Sequence, residues 1–488
     1  MRHLVSTIAT FAVVAALVMS GCSGQTTETV EETTEPEAIE QVDETQPEDE
    51  LEVEETAEEN DAASAAFSLT RDDIQINETI SDDADTSHAI AASGTTESYS
   101  NVEVTKTGDA DGDEADFYGT NAAVYAEDGA TLDLSDTIVT SDGTHANAVF
   151  SYGEGTVINI ARSIIETTGN CSGGIMVTGG GTICATDLYI HTTGNSSAAI
   201  RSDRGGGTEN VTGGTYLTDG TGSPVIYSTA DVTVEDATLE STASQGVVVE
   251  GQNSVTLVNC DLTASNTTKN SDKSDYYQAV MIYQSMSGDA DEGEALFSME
   301  GGSLANKNGD VFFVNNTVCT ISLDGVKVTN EDASGVLLRA AAAGWGTEGS
   351  NGGHVTMTLA NEQVSGDIVV DEVSELNLYL TGETAYEGAI NADDTGAVYV
   401  EIESGSTWTL TGDSHVTSLT CDADAIDLNG HTLYVDGVAY EDGTASTGTA
   451  IEFTVSSGNG GMGGGMPGEP PEGGMGPGGN GGEPPAKP

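Results

Sequence analysis

Between residues 131 and 374, apolar and polar side chains alternate in short runs, each closed by a Gly, Ser, Asn or Thr turn, and the pattern recurs on a period near 25. Residues 131–155 (TLDLSDTIVTSDGTHANAVFSYGEG), 156–181, 182–207, 208–230 and 231–253 share one plan: an alternating stretch, a second stretch ending near Thr or Ser, a turn, and an apolar triplet before another turn. The plan continues with longer insertions through 254–293, 294–317, 318–353 and 354–374. Period-two alternation, β-branched residues and no helical periodicity predict strands, three to a repeat. The fold class expected is therefore all-β, a right-handed single-stranded parallel β-helix with coils of about 23–26 residues. No coil of such a solenoid buries its apolar face without neighbours.

The third triplet of each repeat shows the stacking. Val149, Ile175, Ile200, Ile226, Val248, Met281, Phe312, Leu337 and Ile368 align and predict an inward ladder. The next positions then point outward: Phe150, Met176, Arg201, Tyr227, Val249, Ile282, Phe313, Leu338 and Val369, with Tyr152, Thr178, Asp203 and Thr229 two residues beyond the first four of these. Neighbours along such a stripe lie ~4.8 Å apart. The solenoid domain spans 63–455. Within it, 63–100 is expected to cap the start, and 375–455, with VYVEIES, STWTLTG and HTLYVDG, to close the end, because a terminal coil must cover its open edge. From 456 the chain is a Gly/Pro/Met-rich tail with a disordered composition, in which Met462, Met466 and Met475 are soft donors on a flexible segment.

The N-terminus bears on location. Arg2, an apolar run from Ile8 to Val18 and then Met19, Ser20, Gly21 and Cys22 read as a secretory signal over 1–22, too short to span a bilayer. The small residues before Cys22 resemble a bacterial lipobox, so acylation at Cys22 is expected to anchor the protein at the extracellular face of the membrane, with an ordinary secretion signal as the other reading. Residues 23–62 hold seventeen Asp and Glu and no Lys or Arg, the composition of a disordered, self-repelling stalk.

The acidic excess extends through the chain: 81 Asp and Glu against 12 Lys and Arg, a formal charge of −69. Affinity for phosphate comes from clustered Lys and Arg, so nucleic acid and anionic membranes are excluded as partners, while cations, neutral polymers and basic partners remain. Self-repulsion favours a soluble monomer. Beyond Cys22, the widely spaced Cys171, Cys184, Cys260, Cys319 and Cys421 suggest small buried thiols rather than a zinc or disulfide framework, with a bridge between Cys171 and Cys184 left open.

Several blocks carry a family resemblance: TGDADGDEADFYGTNAAVYAEDGATL (107–132), RSDRGGG (201–207), SPVIYS (223–228), VEGQNS (249–254) and WTLTGDSHVTSL (408–419). They look like segments of bacterial cell-surface right-handed β-helix proteins of pectate-lyase-like fold, described as adhesin-like or carbohydrate-binding lipoproteins. That resemblance covers most of 70–455. It implies the fold and a surface role, and assigns no catalytic residue.

Candidate chemistry is sparse. Asp109, Asp111, Asp113 and Asp116 are spaced like the hard oxygen ligands of a calcium loop, although the twelfth place from Asp109 is Thr120 rather than a bidentate Glu; an acidic surface loop is the other reading. Asp289, Asp291, Glu292 and Glu294 form a weaker second set. Arg is scarce, which draws notice to Arg201, Asp203 and Arg204 ahead of three glycines. With Phe150, Tyr152 and Tyr227, Arg201 and Asp203 would make a polar and aromatic patch for a sugar; alternatively they clamp their own turn. A polysaccharide lyase would need Arg201 or Arg204 as base with Ca²⁺ neutralising a uronate, yet an acidic solenoid repels polyuronates. His145, His191, His354, His415 and His431 fall in different registers and read as turn or surface residues. The expectation is a surface protein that adheres to or binds an extracellular glycan or cell-surface ligand, calcium-stiffened, with lyase or hydrolase activity and a purely structural spacer as alternatives.

Overall fold

A computed structural model describes residues 67–269 and 273–453; the signal segment, Cys22, the stretch 23–62 and the tail from 456 lie outside the described residues. Three long sheets, parallel throughout, make up most of the described residues' strands. The first has ten strands, from Glu78–Asp82 to Lys327–Asn330; the second eleven, from Ile90–Ser93 to Asp367–Val370; the third thirteen, from Thr96–Ser100 to Ser418–Thr420. As far as Gly353–Ala360 the strands visit the three sheets in rotation, so each turn of the solenoid adds one strand to each sheet; beyond it a separate four-stranded sheet, from Gln363–Ser365 to Ile426–Asp427, takes the place of the first. This is the parallel β-solenoid that the repeat predicts.

Alternation sets the core. The third sheet points Leu132, Ile158, Ile183, Glu209, Val232, Val255 and Phe297 inward in one register. Its outward row, Asp133, Asn159, Cys184, Asn210, Thr233 and Thr256, is mostly small and polar. Inward rows of the three sheets meet in one continuous apolar cluster. It can be continuous because each strand's side chains sit directly over those of the preceding coil.

Corners repeat as faithfully as strands. Where the first sheet passes to the second, Gly143, Gly169, Gly194 and Gly220 stack so closely that a Cβ on each would lie 1.8 to 2.1 Å from the carbonyl oxygen of the glycine one coil before. Beside them Ser172, Ser197 and Ser223 are buried; each hydroxyl donates to one of those glycine carbonyls and accepts an amide from the preceding coil.

Three details differ from the sequence reading. In the second sheet the inward partners run Val149, Ile175, Ile200, Ile226, Val247, Val280, Phe312, Leu338 and Ile368. Val248 and Met281 therefore face outward, in place of Val249 and Ile282, and Leu337 sits at a register shift. The cause is a shorter corner before Val247 combined with uniformly apolar strands, in which alternation gives no phase. Second, the capping role assigned to 63–100 falls elsewhere: Glu78–Asp82, Ile90–Ser93 and Thr96–Ser100 already form the first coil. Residues 67–76 instead strap the outer face of the first sheet, where Leu69 and Ile74 pack on Ile138 and Ile164 and Arg71 pairs with Glu103 and Glu166. Third, the far end closes with a small added sheet in which Leu433–Val435 pairs antiparallel with Val438–Ala439.

The outward face of the second sheet is covered. Longer insertions fold back over it, so Phe150, Met176, Val248, Met281 and Phe313 are all buried although they point away from the solenoid axis. A short helix, α1 (Asp113–Tyr118), lies over the early coils: Thr178 donates to the Phe117 carbonyl at 2.7 Å, and a Cβ on Gly119 would strike the Phe150 ring. Further along, Trp345 and Tyr276 pack on Met281, Tyr283 and Phe313 to roof the later coils.

Candidate functional site

Between these two roofed stretches a cleft of about 30 Å³, room for about two waters, opens on the second sheet, lined among others by Cys171, Arg201, Asp203, Pro224, Tyr227 and Asp289. Of the residues singled out for sugar recognition, Arg201, Asp203 and Tyr227 are brought together here. Phe150 is not: it is wholly buried beneath Gly119 and α1, with no face left for a ligand. Tyr152 also lies off the cleft, in edge contact with the half-exposed Tyr118.

Arg201 governs the electrostatics. Only 6% of it is exposed. Its Nη2 lies 3.5 Å from Asp203 Oδ2 and 3.7 Å from Asp116 Oδ1, while Nη1, equally buried, has no hydrogen-bond partner. Burial works against its charge, but the two aspartates more than offset this and hold its pKa above the usual value. Tyr227 gives its hydroxyl to Glu250 at 2.5 Å, and Tyr283 and Ser285 hold the same carboxylate. Arg204 leaves the cleft floor: its Nε donates to Asp289 at 2.7 Å and its guanidinium lies 3.8 Å above the Phe117 ring, tying α1 to the insertion at 284–293. Arg204 thus ties two distant segments rather than clamping its own turn, and Arg201 lines the cleft beside Asp203.

A second cluster adjoins the cleft. His145 and Cys171 occupy the same corner of successive coils, and the corner amides bond coil to coil, His145 to the Asn170 carbonyl and Cys171 to that of Asn195. Both corners need left-handed backbone, φ 52° and 56°, and the following coils place Ser196 and Gly222 in the same conformation. Coil stacking brings the imidazole beside the thiol, and α1 lowers Asp116 onto them, its Oδ1 2.9 Å from His145 Nδ1. Donor atoms of all three lie within 4.8 Å of one another. The hydrogen bond to Asp116, followed by that to Cys171, raises the His145 pKa to about 10, so the imidazole is charged at neutral pH. Sequence reasoning assigned His145 to an isolated turn and Cys171 to a buried thiol. The overlooked signal was their equivalent place in consecutive repeats.

The proposed calcium residues part company. Asp116 is committed to His145 and Arg201. Asp109 accepts the Thr144 amide through its carboxylate at 2.8 Å, and Asp111 is exposed. Asp113 opens α1. In the second set, Asp289 is held by Arg204 and Ser287. Cys171 and Cys184 do not bridge one another.

No family model matches the chain, and no curated protein or solved structure is found to match it.

Proposed function

We propose that this protein is a lipid-anchored surface solenoid that binds neutral glycans at the cleft and at the groove beside it. The observation that carries the reading is Arg201, which lines the cleft and whose buried Nη1 has no hydrogen-bond partner. Leaving such a group without an acceptor costs roughly 1–3 kcal/mol, and a sugar hydroxyl oxygen reaching into the cleft would supply one. The ring of Tyr227 offers a partly apolar wall for the sugar. Across Asp289 the cleft gives onto a groove of about 340 Å³ lined by Gly205, Gly206, Gly207, Asp231, Gln252 and Asn253. Amides, carboxylates and bare glycine backbone suit hydroxyl-rich ligands. A neutral glycan also meets no repulsion from a chain of charge −69.

The test is a glycan array probed with the wild type and with Asn253→Ala and Tyr227→Ala, each with calcium and with EDTA. Neutral glycans are expected to bind the wild type and to lose most signal with either variant, Asn253→Ala, which gives up a hydrogen bond to the Glu250 carbonyl, keeping the wild-type far-ultraviolet spectrum. A wild type that binds no glycan overturns the proposal. Calcium enters as a stiffener of the loop through Asp109, Asp111 and Asp113, Asp116 being held by His145 and Arg201. The unfolding temperature should then rise with millimolar Ca²⁺, and rise less in Asp111→Ala.

A further inference from the structure

We propose that Asp116, His145 and Cys171 form a binding site for a zinc-class transition-metal ion, distinct from the hard-oxygen calcium chemistry that the sequence suggests. The site stands whether or not the cleft takes a sugar.

Its donor set is a thiol sulfur, an imidazole nitrogen and a carboxylate oxygen, mutually within 4.8 Å. Zinc bonds of about 2.0–2.3 Å in a tetrahedron place donors about 3.4–3.8 Å apart. The 2.9 Å contact between Asp116 and His145 must therefore open by less than an ångström, and no pair need close by more than about one. Side-chain rotation achieves both, because Cys171 and His145 sit at corners and not within strands. A thiolate excludes Ca²⁺ and Mg²⁺ as natural occupants and, combined with imidazole and carboxylate, selects zinc, cobalt and their neighbours. Three protein donors leave one coordination position. One of the three donors, Cys171, also lines the cleft.

Arg201, with Nη2 3.7 Å from Asp116, is a cation already in place and must be reconciled with a second one. The charge balance allows it. Coordination takes Cys171 as thiolate and His145 as neutral imidazole, so protons leave the site as the divalent ion arrives. Asp116 and Asp203 continue to face Arg201 as before, and Arg201 then acts as an outer partner that orients the Asp116 carboxylate. The architecture supplies the preorganisation: two donors come from stacked corners that the coil ladder fixes, and the third from a helix fastened by Phe117, Thr178 and Arg204.

The experiment is titration of the chelator-treated full chain with Zn²⁺ and, for its spectrum, Co²⁺. One equivalent of either ion should bind, Co²⁺ should give a thiolate-to-cobalt charge-transfer band, and the unfolding temperature should rise. Cys171→Ser is expected to abolish the band and weaken binding at least tenfold. Cys184→Ser, a change on the outer face of the third sheet, should keep both. Absence of stoichiometric binding overturns the site, as does binding left undiminished by Cys171→Ser, which would place the ion on other carboxylates. Rapid alkylation of Cys171 that depends on His145, in a chain that takes up no ion, would also overturn it, by making the trio a nucleophilic thiol, imidazole and carboxylate.

Discussion

Glu209 is the residue that most openly breaks the pattern around it. It faces inward between Ile183 and Val232 in the third sheet, is wholly buried, and both carboxyl oxygens lack a partner. Burial alone pushes its pKa well above that of an ordinary carboxylate and favours the neutral form. Glu209→Val, which restores the row with a side chain of similar volume, should stabilise the protein at pH 7 by about 1–3 kcal/mol, read as a higher unfolding midpoint in denaturant. Glu362 makes a milder version of the same argument. Its Oε1 accepts the Val326 amide at 2.7 Å while Oε2 is buried without a partner, and burial raises its pKa to about 7. A carboxyl raised in the folded state contributes stability that is complete below its unfolded value near 4.5 and lost as pH rises through about 7. Glu362→Gln should therefore flatten the fall in unfolding temperature between pH 5 and pH 8, and an unchanged slope would assign that fall to other groups. At this scale the sequence was only partly legible. Glu209 stands at an inward position of a readable repeat, but whether a buried acid has a partner depends on the coils above and below it.

Turns and strands were legible to different degrees for a physical reason. On the third sheet one face meets solvent, so alternation is clean and the register follows from it. On the second sheet the outward face is roofed, and strands such as Gln278–Tyr283 and Asp310–Asn315 are buried at every position. Period-two phase vanishes in such strands, as it does in any strand covered on both sides, and this is where Val248, Met281 and Leu337 were misplaced. The roof also hid the site. A distant insertion supplies Asp116, and nothing in the spacing of an acidic loop says that its last carboxylate turns in to meet a corner histidine. Corner glycines were visible as turn residues, but their reason was not. Gly194 has ordinary backbone and is required because its Cβ would lie 1.9 Å from the Gly169 carbonyl oxygen, whereas Gly129 is left-handed, at φ 72°, and has open space around it. The two cases predict different costs. Gly129→Ala should lose about 1–2 kcal/mol, the expense of left-handed backbone for a Cβ residue. Gly194→Ala forces coils apart in the middle of the stack and should lose at least 3 kcal/mol. Chemical denaturation of the two variants side by side decides it, and equal losses would mean that the corner relaxes.

For the molecule as a whole, stability is a sum over neighbouring coils, and the ends are where that sum is incomplete. A parallel solenoid cut at any coil exposes three strand edges and a cross-section of the core, a template for another copy. The C-terminal end meets this hazard with devices absent from the repeat. Leu433–Val435 turns back antiparallel onto Val438–Ala439, and Ser446 pairs antiparallel with Cys421. The chain then returns along the third sheet, where Asn377 exchanges two hydrogen bonds of 2.9 Å with Ile451 and Phe453 meets His354. These contacts are long in sequence, which is why the closing segment read only as a set of alternating strands. A chain ended after Thr420 loses the hairpin and the returning strap together and leaves Leu419 and Trp408 near an open end. Such a chain should keep its far-ultraviolet β signal, since the upstream coils are intact, yet associate end to end in a concentration-dependent way. Light scattering over a dilution series checks this against the full chain, whose formal charge of −69 opposes association. A truncated form that stays at monomer mass throughout would show that charge repulsion protects the open edges without help from the closing segment.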